Sequence, residues 1–193
     1  DEVTATNLIK IDINGKMVEA SPYAVNEAGF VIHSAVHMMS KENNRVVMHT
    51  HSRSGMAIAA LEEGLLPISM GATAFFEDIA YHDYEGVVLE VEERESIVQH
   101  LGDKFAMILR NHGLLTLGRN LGEAFYLMYN LEKACRSQLA AMAGATELEV
   151  PSEEVLKKSA AQSWIPNNNR TDMHPTWPAL VRKMDRIDPS YRT

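Results

Sequence analysis

Around Asn14-Gly15, over residues 7–19, apolar and polar positions alternate with period two. Alternation sends successive side chains to opposite faces, and Asn-Gly suits a tight reversal, so the pattern predicts two antiparallel strands. The period then lengthens. Asn26 stands in an N-cap position, and Phe30, His33, Val36 and His37 recur at helical spacing, predicting a helix over 27–41. Short apolar runs predict strands at 45–50, 65–70, 86–91, 105–109 and 114–117. The second and third of these are joined by an aromatic, acidic loop containing Phe75-Phe76-Glu77-Asp78 and Tyr81-His82-Asp83-Tyr84. Further helices are predicted at 54–63, closed by Gly64, and at 92–101. A long one over 122–143 carries Phe125, Met128, Leu131, Cys135, Leu139 and Met142 on one stripe. Ser152 caps another, with Glu153 and Glu154 in the first turn where the helix dipole favours them. A polar, proline-broken connector over 164–178 leads to a short amphipathic helix at 179–186. No repeat or low-complexity tract interrupts the chain. Strands mixed with helices, with at least one hairpin, predict one domain over 1–193: helices on both faces of a mixed, partly antiparallel sheet.

Composition narrows the partners. With 193 residues, 46% hydrophobic and 23% charged, the chain can bury a real core. A net charge of −8 with no basic face argues against nucleic acid. The single Cys135 rules out an internal disulfide framework and suits a reducing compartment, and its place on a buried stripe makes it inert. No apolar run has the length of a membrane span, and Asp1-Glu2-Val3-Thr4 lacks a signal pattern, so a soluble, cytoplasmic protein is expected.

The candidate chemistry lies in histidines. His49 and His51, two apart at a strand end, share a face and can offer two imidazoles to one divalent ion. His112, after a second apolar strand and before Gly113, is the natural third ligand. Three histidines and no further fixed ligand leave coordination positions open, a catalytic pattern. The competing reading is three ordinary histidines hydrogen-bonded to backbone, and spacing leaves both open. His33 and His37, at i,i+4, form a rival pair whose positions on the apolar stripe fit core packing better. His82 fits a surface loop, although it could line a pocket, and His100 and His174 fit solvent-exposed positions. Glu92, Glu93 and Glu95 read as a solvated helix face; Glu62 and Glu63 read as exposed, with Glu62 a conceivable partner of a metal ligand. No Gly-x-Ser-x-Gly or phosphate-cradling glycine loop is present.

His49-Thr50-His51-Ser52, Gly64-Leu65-Leu66-Pro67, Leu109-Arg110-Asn111-His112-Gly113-Leu114 and Glu123-Ala124-Phe125 together resemble the class II aldolase and adducin family over nearly the whole chain. The resemblance implies a three-layer α/β/α sandwich around a mixed, largely antiparallel sheet, assembled as a homotetramer with sites at subunit interfaces. It also implies a divalent metal, zinc, on His49, His51 and His112. Two departures stand out. Where the aldolases carry Ser-Ser-Glu, holding phosphate and moving protons, this chain has Ala28-Gly29-Phe30. The aldolases' opening segment also has no counterpart, so the domain is expected to be N-terminally incomplete relative to the family. Asn26-Glu27-Ala28-Gly29-Phe30-Val31-Ile32-His33 and Tyr81-His82-Asp83-Tyr84-Glu85-Gly86 look closer to the adducin-like branch, which includes cytoskeletal head domains without known aldolase activity. The implied function is a metal-dependent lyase, the ion acting as Lewis acid to stabilise an enediolate. Its substrate would be a small hydroxy-carbonyl or carboxylic compound, not a phosphate ester. Glu27 is the candidate acid/base, although a helix-start carboxylate equally fits a dipole role, and His82 and Tyr84 are candidate substrate contacts. The alternative is an adducin-like assembly domain without catalysis.

Overall fold

The fold is that of a computed structural model describing residues 2–39, 45–86, 93–144, 147–163 and 176–193. In chain order the elements are α1 (Glu27–Met38), β1 (Val46–Thr50), α2 (Arg53–Ala59), α3 (Met70–Thr73), β2 (Ile79–His82), α4 (Glu93–Leu101), β3 (Ala106–Leu109), β4 (Gly113–Gly118), α5 (Leu121–Met142), α6 (Glu153–Gln162) and α7 (Thr176–Ile187). The four strands form one sheet in the order β1-β4-β3-β2. β4 runs antiparallel to both β1 and β3, and β2 runs parallel to β3.

Strand alternation divides the core into two layers. Val47, Ala80, Met107, Leu109, Leu115 and Leu117 face α1 and α4, meeting Val31, Ile32, Val36, Ile97 and Leu101. Ala106, Ile108 and Leu114 face α2 and α5, meeting Ile58, Leu127, Leu131 and Cys135. Helices thus cover both faces of a mixed, largely antiparallel sheet, the three-layer architecture expected. β3 and β4 are buried at every position, which is why they read as continuous apolar runs. Gln138, fully buried on α5, donates from Nε2 to the Gly64 carbonyl (2.9 Å) and accepts from the Leu66 N–H (2.7 Å), tying that loop to the helix.

Several expectations are corrected. The Asn14-Gly15 turn forms, with Gly15 at φ 84°, but it closes one bridge, Ile11 with Met17, and no two-strand ladder. The Asp12 carboxylate takes the N–H groups of Asn14 and Lys16 and fastens the turn locally. Residues 65–69 are an irregular apolar connection held by Gln138, Met70 opens α3, and β2 lies instead in the segment read as an acidic loop. Parallel pairing with β3 gives Ile79–His82 partners that their own pattern does not announce. α1 buries Val31, Ile32, Ala35 and Val36, so Phe30, His33 and His37 fall beside the core and not in it. In α5 the stripe holds except at Met142, which is exposed. Ser152 precedes α6 without a side-chain cap bond, and α7 begins three residues earlier than its amphipathic pattern suggested. The strand expected at 86–91, the connector over 164–175 with His174, and residues 40–41 at the end of the first helix fall outside the described residues, apart from Gly86 at a bend.

Candidate metal centre

β1 delivers His49 inside the strand and His51 just beyond its end, where Ser52 caps α2 by accepting from the Gly55 N–H (3.0 Å). The third histidine comes from the turn between β3 and β4. Asn111 there adopts φ 56°, which asparagine tolerates better than most side chains, and its N–H donates to the Ala59 carbonyl (3.0 Å). Gly113 follows because β1 passes close: a Cβ there would lie 2.3 Å from the Thr50 carbonyl oxygen. Asn-His-Gly thus has one reason per residue.

His51 Nε2 lies 2.8 Å from His49 Nε2 and 2.8 Å from His112 Nε2, and the three rings meet steeply, their centroids 4.6–4.8 Å apart. The ligand atoms all lie within 4.8 Å of one another, and no described carboxylate joins the cluster. Two nitrogens bound at about 2.1 Å to one ion lie no more than about 4.2 Å apart, so both short separations suit a shared ion. The protonation pattern suits it too. His49 Nδ1 is 2.9 Å from the Leu114 carbonyl, which can only accept, so Nδ1 carries the hydrogen and Nε2 of the neutral ring presents a lone pair to the cluster. Burial, with smaller contributions from the neighbouring imidazoles, lowers the pKa of His49 to about 4 against the opposing Leu114 hydrogen bond. Burial, then His51 and His82, lowers that of His112. The donor set and its electrostatics therefore fit a divalent cation.

Sequence reasoning missed what fastens Ser52, the residue after His51. Glu132 of α5, 80 residues away, accepts hydrogen bonds from Ser52 Oγ and from Ser54 Oγ (2.9 Å) and pairs with Arg136 (3.0 Å). No local pattern announces so distant a partner; only the helix-starting serines hinted at it. The other candidates are not members of the histidine cluster. Glu27 is exposed in the first turn of α1, and Tyr84 is 54% exposed. His82 is a buried strand residue, 4% exposed, not a surface-loop one, with Nδ1 2.9 Å from Nδ1 of the exposed His100. Glu62 and Glu63 are exposed, as expected. Cys135 is fully buried, and burial, reinforced by Glu132, pushes its thiol up to about 12.

Residues 1–139 match the family model of the class II aldolase and adducin N-terminal domain. The structure of an aldolase II superfamily protein from Pseudomonas syringae is 44% identical, with a TM-score of 0.89 over all of this chain and 76% of that one. An L-fuculose 1-phosphate aldolase from Glaciozyma antarctica is 26% identical, with a TM-score of 0.81 over 99% of this chain and 73% of that one. Mouse alpha-adducin is 36% identical over 205 residues, covering 100% of this chain but only 27% of the adducin. The chain belongs to the class II aldolase and adducin family.

Proposed function

We propose that the protein is a metal-dependent lyase acting on a small hydroxy-carbonyl or carboxylic compound, with His49, His51 and His112 as ligands of a divalent ion, zinc. The observation that carries this reading is the convergence of three imidazole nitrogens, with the His49 tautomer set by the Leu114 carbonyl so that its free lone pair faces the cluster. An ion held there would supply Lewis acidity to a substrate oxygen. The chain's own part is to hold the ligands: Leu114 orients His49, Glu132 fastens the His51–Ser52 corner through two serines, and the αL turn at Asn111 presents His112. Similarity to an L-fuculose 1-phosphate aldolase supports lyase chemistry. Ala28-Gly29-Phe30, with neither hydroxyl nor carboxylate, argues against a phosphate ester as substrate. The sole cysteine, free and buried, fits the reducing cytoplasm, and the resemblance favours a homotetramer. Among the described residues no helix is long and apolar enough to cross a membrane.

Elemental analysis of untagged protein purified without chelators tests the centre. About one divalent ion per chain, lost in His49→Ala/His51→Ala, is the expected result; none after reconstitution with zinc refutes it. A second reading, an adducin-like assembly domain, draws on the alpha-adducin match and on a cluster that no carboxylate joins among the described residues. It predicts a stable oligomer with no turnover whether or not metal is added.

A further inference from the structure

His82 and His100 make a second pair of imidazoles that the triad does not use. His82 closes β2 and is 4% exposed, while His100 stands exposed in the last turn of α4. Their Nδ1 atoms lie 2.9 Å apart, with the ring centroids 5.1 Å apart and the planes tilted by 53°. Two arrangements fit that separation. Either one Nδ1 donates a hydrogen to the other, or both direct lone pairs at one ion. Two nitrogens bound at about 2.1 Å to a shared ion lie within about 4.2 Å of each other.

The surroundings favour the ion. Ser96 and His100 are i,i+4 neighbours on one face of α4, and Ser96 Oγ donates to Glu85 Oε1 (2.8 Å). The Glu85 carboxylate is thereby held one helical turn along α4 from His100. Asp83 follows His82 directly. Two carboxylates thus flank the pair, and no Lys or Arg among the described residues makes an ion pair with either. Burial lowers the pKa of His82 and keeps a lone pair free, while Glu85, the main opposing influence, draws positive charge toward the ring. His100 opens to solvent, so an ion has a way in. Imidazole nitrogens with oxygen donors beside them select zinc, copper or nickel over magnesium and calcium.

We propose that His82 and His100 bind a second divalent transition-metal ion, zinc, through their Nδ1 atoms, with Glu85 reaching it through a bound water. The site is independent of the lyase reading. Its ion ties the end of α4 to the end of β2. The His82 carbonyl also accepts the Arg110 N–H (2.8 Å), two residues before His112, so the same clamp braces the strand ends from which His112 is presented.

Equilibrium dialysis of metal-free protein against zinc tests this. The wild-type chain should take about two ions and His100→Ala about one, with unchanged melting of the metal-free chain. His49→Ala/His51→Ala should keep about one ion and lose it when His100→Ala is added. In that triad variant with ¹⁵N-labelled histidine, zinc should move the Nδ1 resonances of two rings, one of them absent in His100→Ala, and magnesium should move neither. Should the triad variant lose its fold, the same resonances in the wild-type chain read the site. Glu85→Gln should weaken the second ion about tenfold, and unchanged affinity overturns the part given to Glu85. A single ion in wild type, lost with the triad, overturns the proposal, as does a second ion that survives His100→Ala. A second ion lost in His37→Ala and kept in His100→Ala would assign it to the pair on α1 instead. One ion lost in His100→Ala and kept in His49→Ala/His51→Ala would uphold this site and sink the metal centre on which the lyase reading rests.

Discussion

Gly113→Ala tests the geometry of the centre most directly. The new Cβ would stand 2.3 Å from the Thr50 carbonyl oxygen and 3.3 Å from His51 Cδ2. Carbon and oxygen rest comfortably at about 3.3 Å or more, so some 1 Å of separation must be found. The oxygen cannot swing away, because Thr50 is registered against Leu114 in the β1–β4 ladder. The end of β1 must part from the 110–113 turn, at a cost of about 1–3 kcal/mol for an overpacked site. For a chain of this size that lowers the melting temperature by about 3–10 °C. The displacement falls between His51 and His112, which now approach to 2.8 Å, so zinc affinity should fall by about tenfold or more. Gly71→Ala is the control: nothing lies within 4 Å of its Cβ, and alanine inside α3 should stabilise by a fraction of a kcal/mol. Thermal melts of metal-free protein and calorimetric zinc titrations read both effects. A Gly113→Ala chain that melts with wild type and binds zinc equally would refute the account of the Asn-His-Gly turn.

Burial makes His33, His49, His82 and His112 harder to protonate than in the unfolded chain, His49 down to about 4 from 6.5. The unfolded chain therefore binds more protons in that window, and the metal-free protein should lose stability as pH falls from 7.5 to 5; an unchanged urea midpoint would contradict this. Gln138→Ala leaves the Gly64 carbonyl and the Leu66 N–H without their partner and should cost about 2–4 kcal/mol in urea unfolding. Cys135, its thiol pushed up to about 12, should resist a soluble disulfide reagent in the native state and react at once in denaturant; prompt native labelling would count against its burial. Glu132→Gln keeps the shape of the side chain but removes its charge from Ser52 and Ser54, and zinc affinity should drop about tenfold or more with little change in melting; equal affinity would show that the corner holds itself.

The parts legible in the sequence were those with one dominant cause. Ala106–Leu109 and Gly113–Gly118 are buried throughout and read as apolar runs, and the triad was visible because two of its members share a strand end. Where two causes compete, the pattern misled. In α1 the series 30, 33, 36, 37 and the series 31, 32, 35, 36 are both helical, and the aliphatic set won the sheet because it buries more apolar surface without stranding imidazole nitrogens. Residues 65–70 are as apolar as a strand but find Gln138 and α5 instead of a ladder. Ile79–His82 became a strand through its pairing with β3, information held 27 residues further along. Glu132 and Gln138 act across 72 to 80 residues, beyond any local period.

Among the described residues β1 has a strand neighbour on one side only, so two of the three candidate ligands sit at the rim of the sheet while the third hangs from its interior. An ion shared by them is a cross-link between rim and interior, closing a span of 61 residues between His51 and His112. Such a cross-link restrains the strand most prone to peel away, whatever reaction it also serves. With an ion bound there, metal supply would bear on how long the folded chain survives proteases.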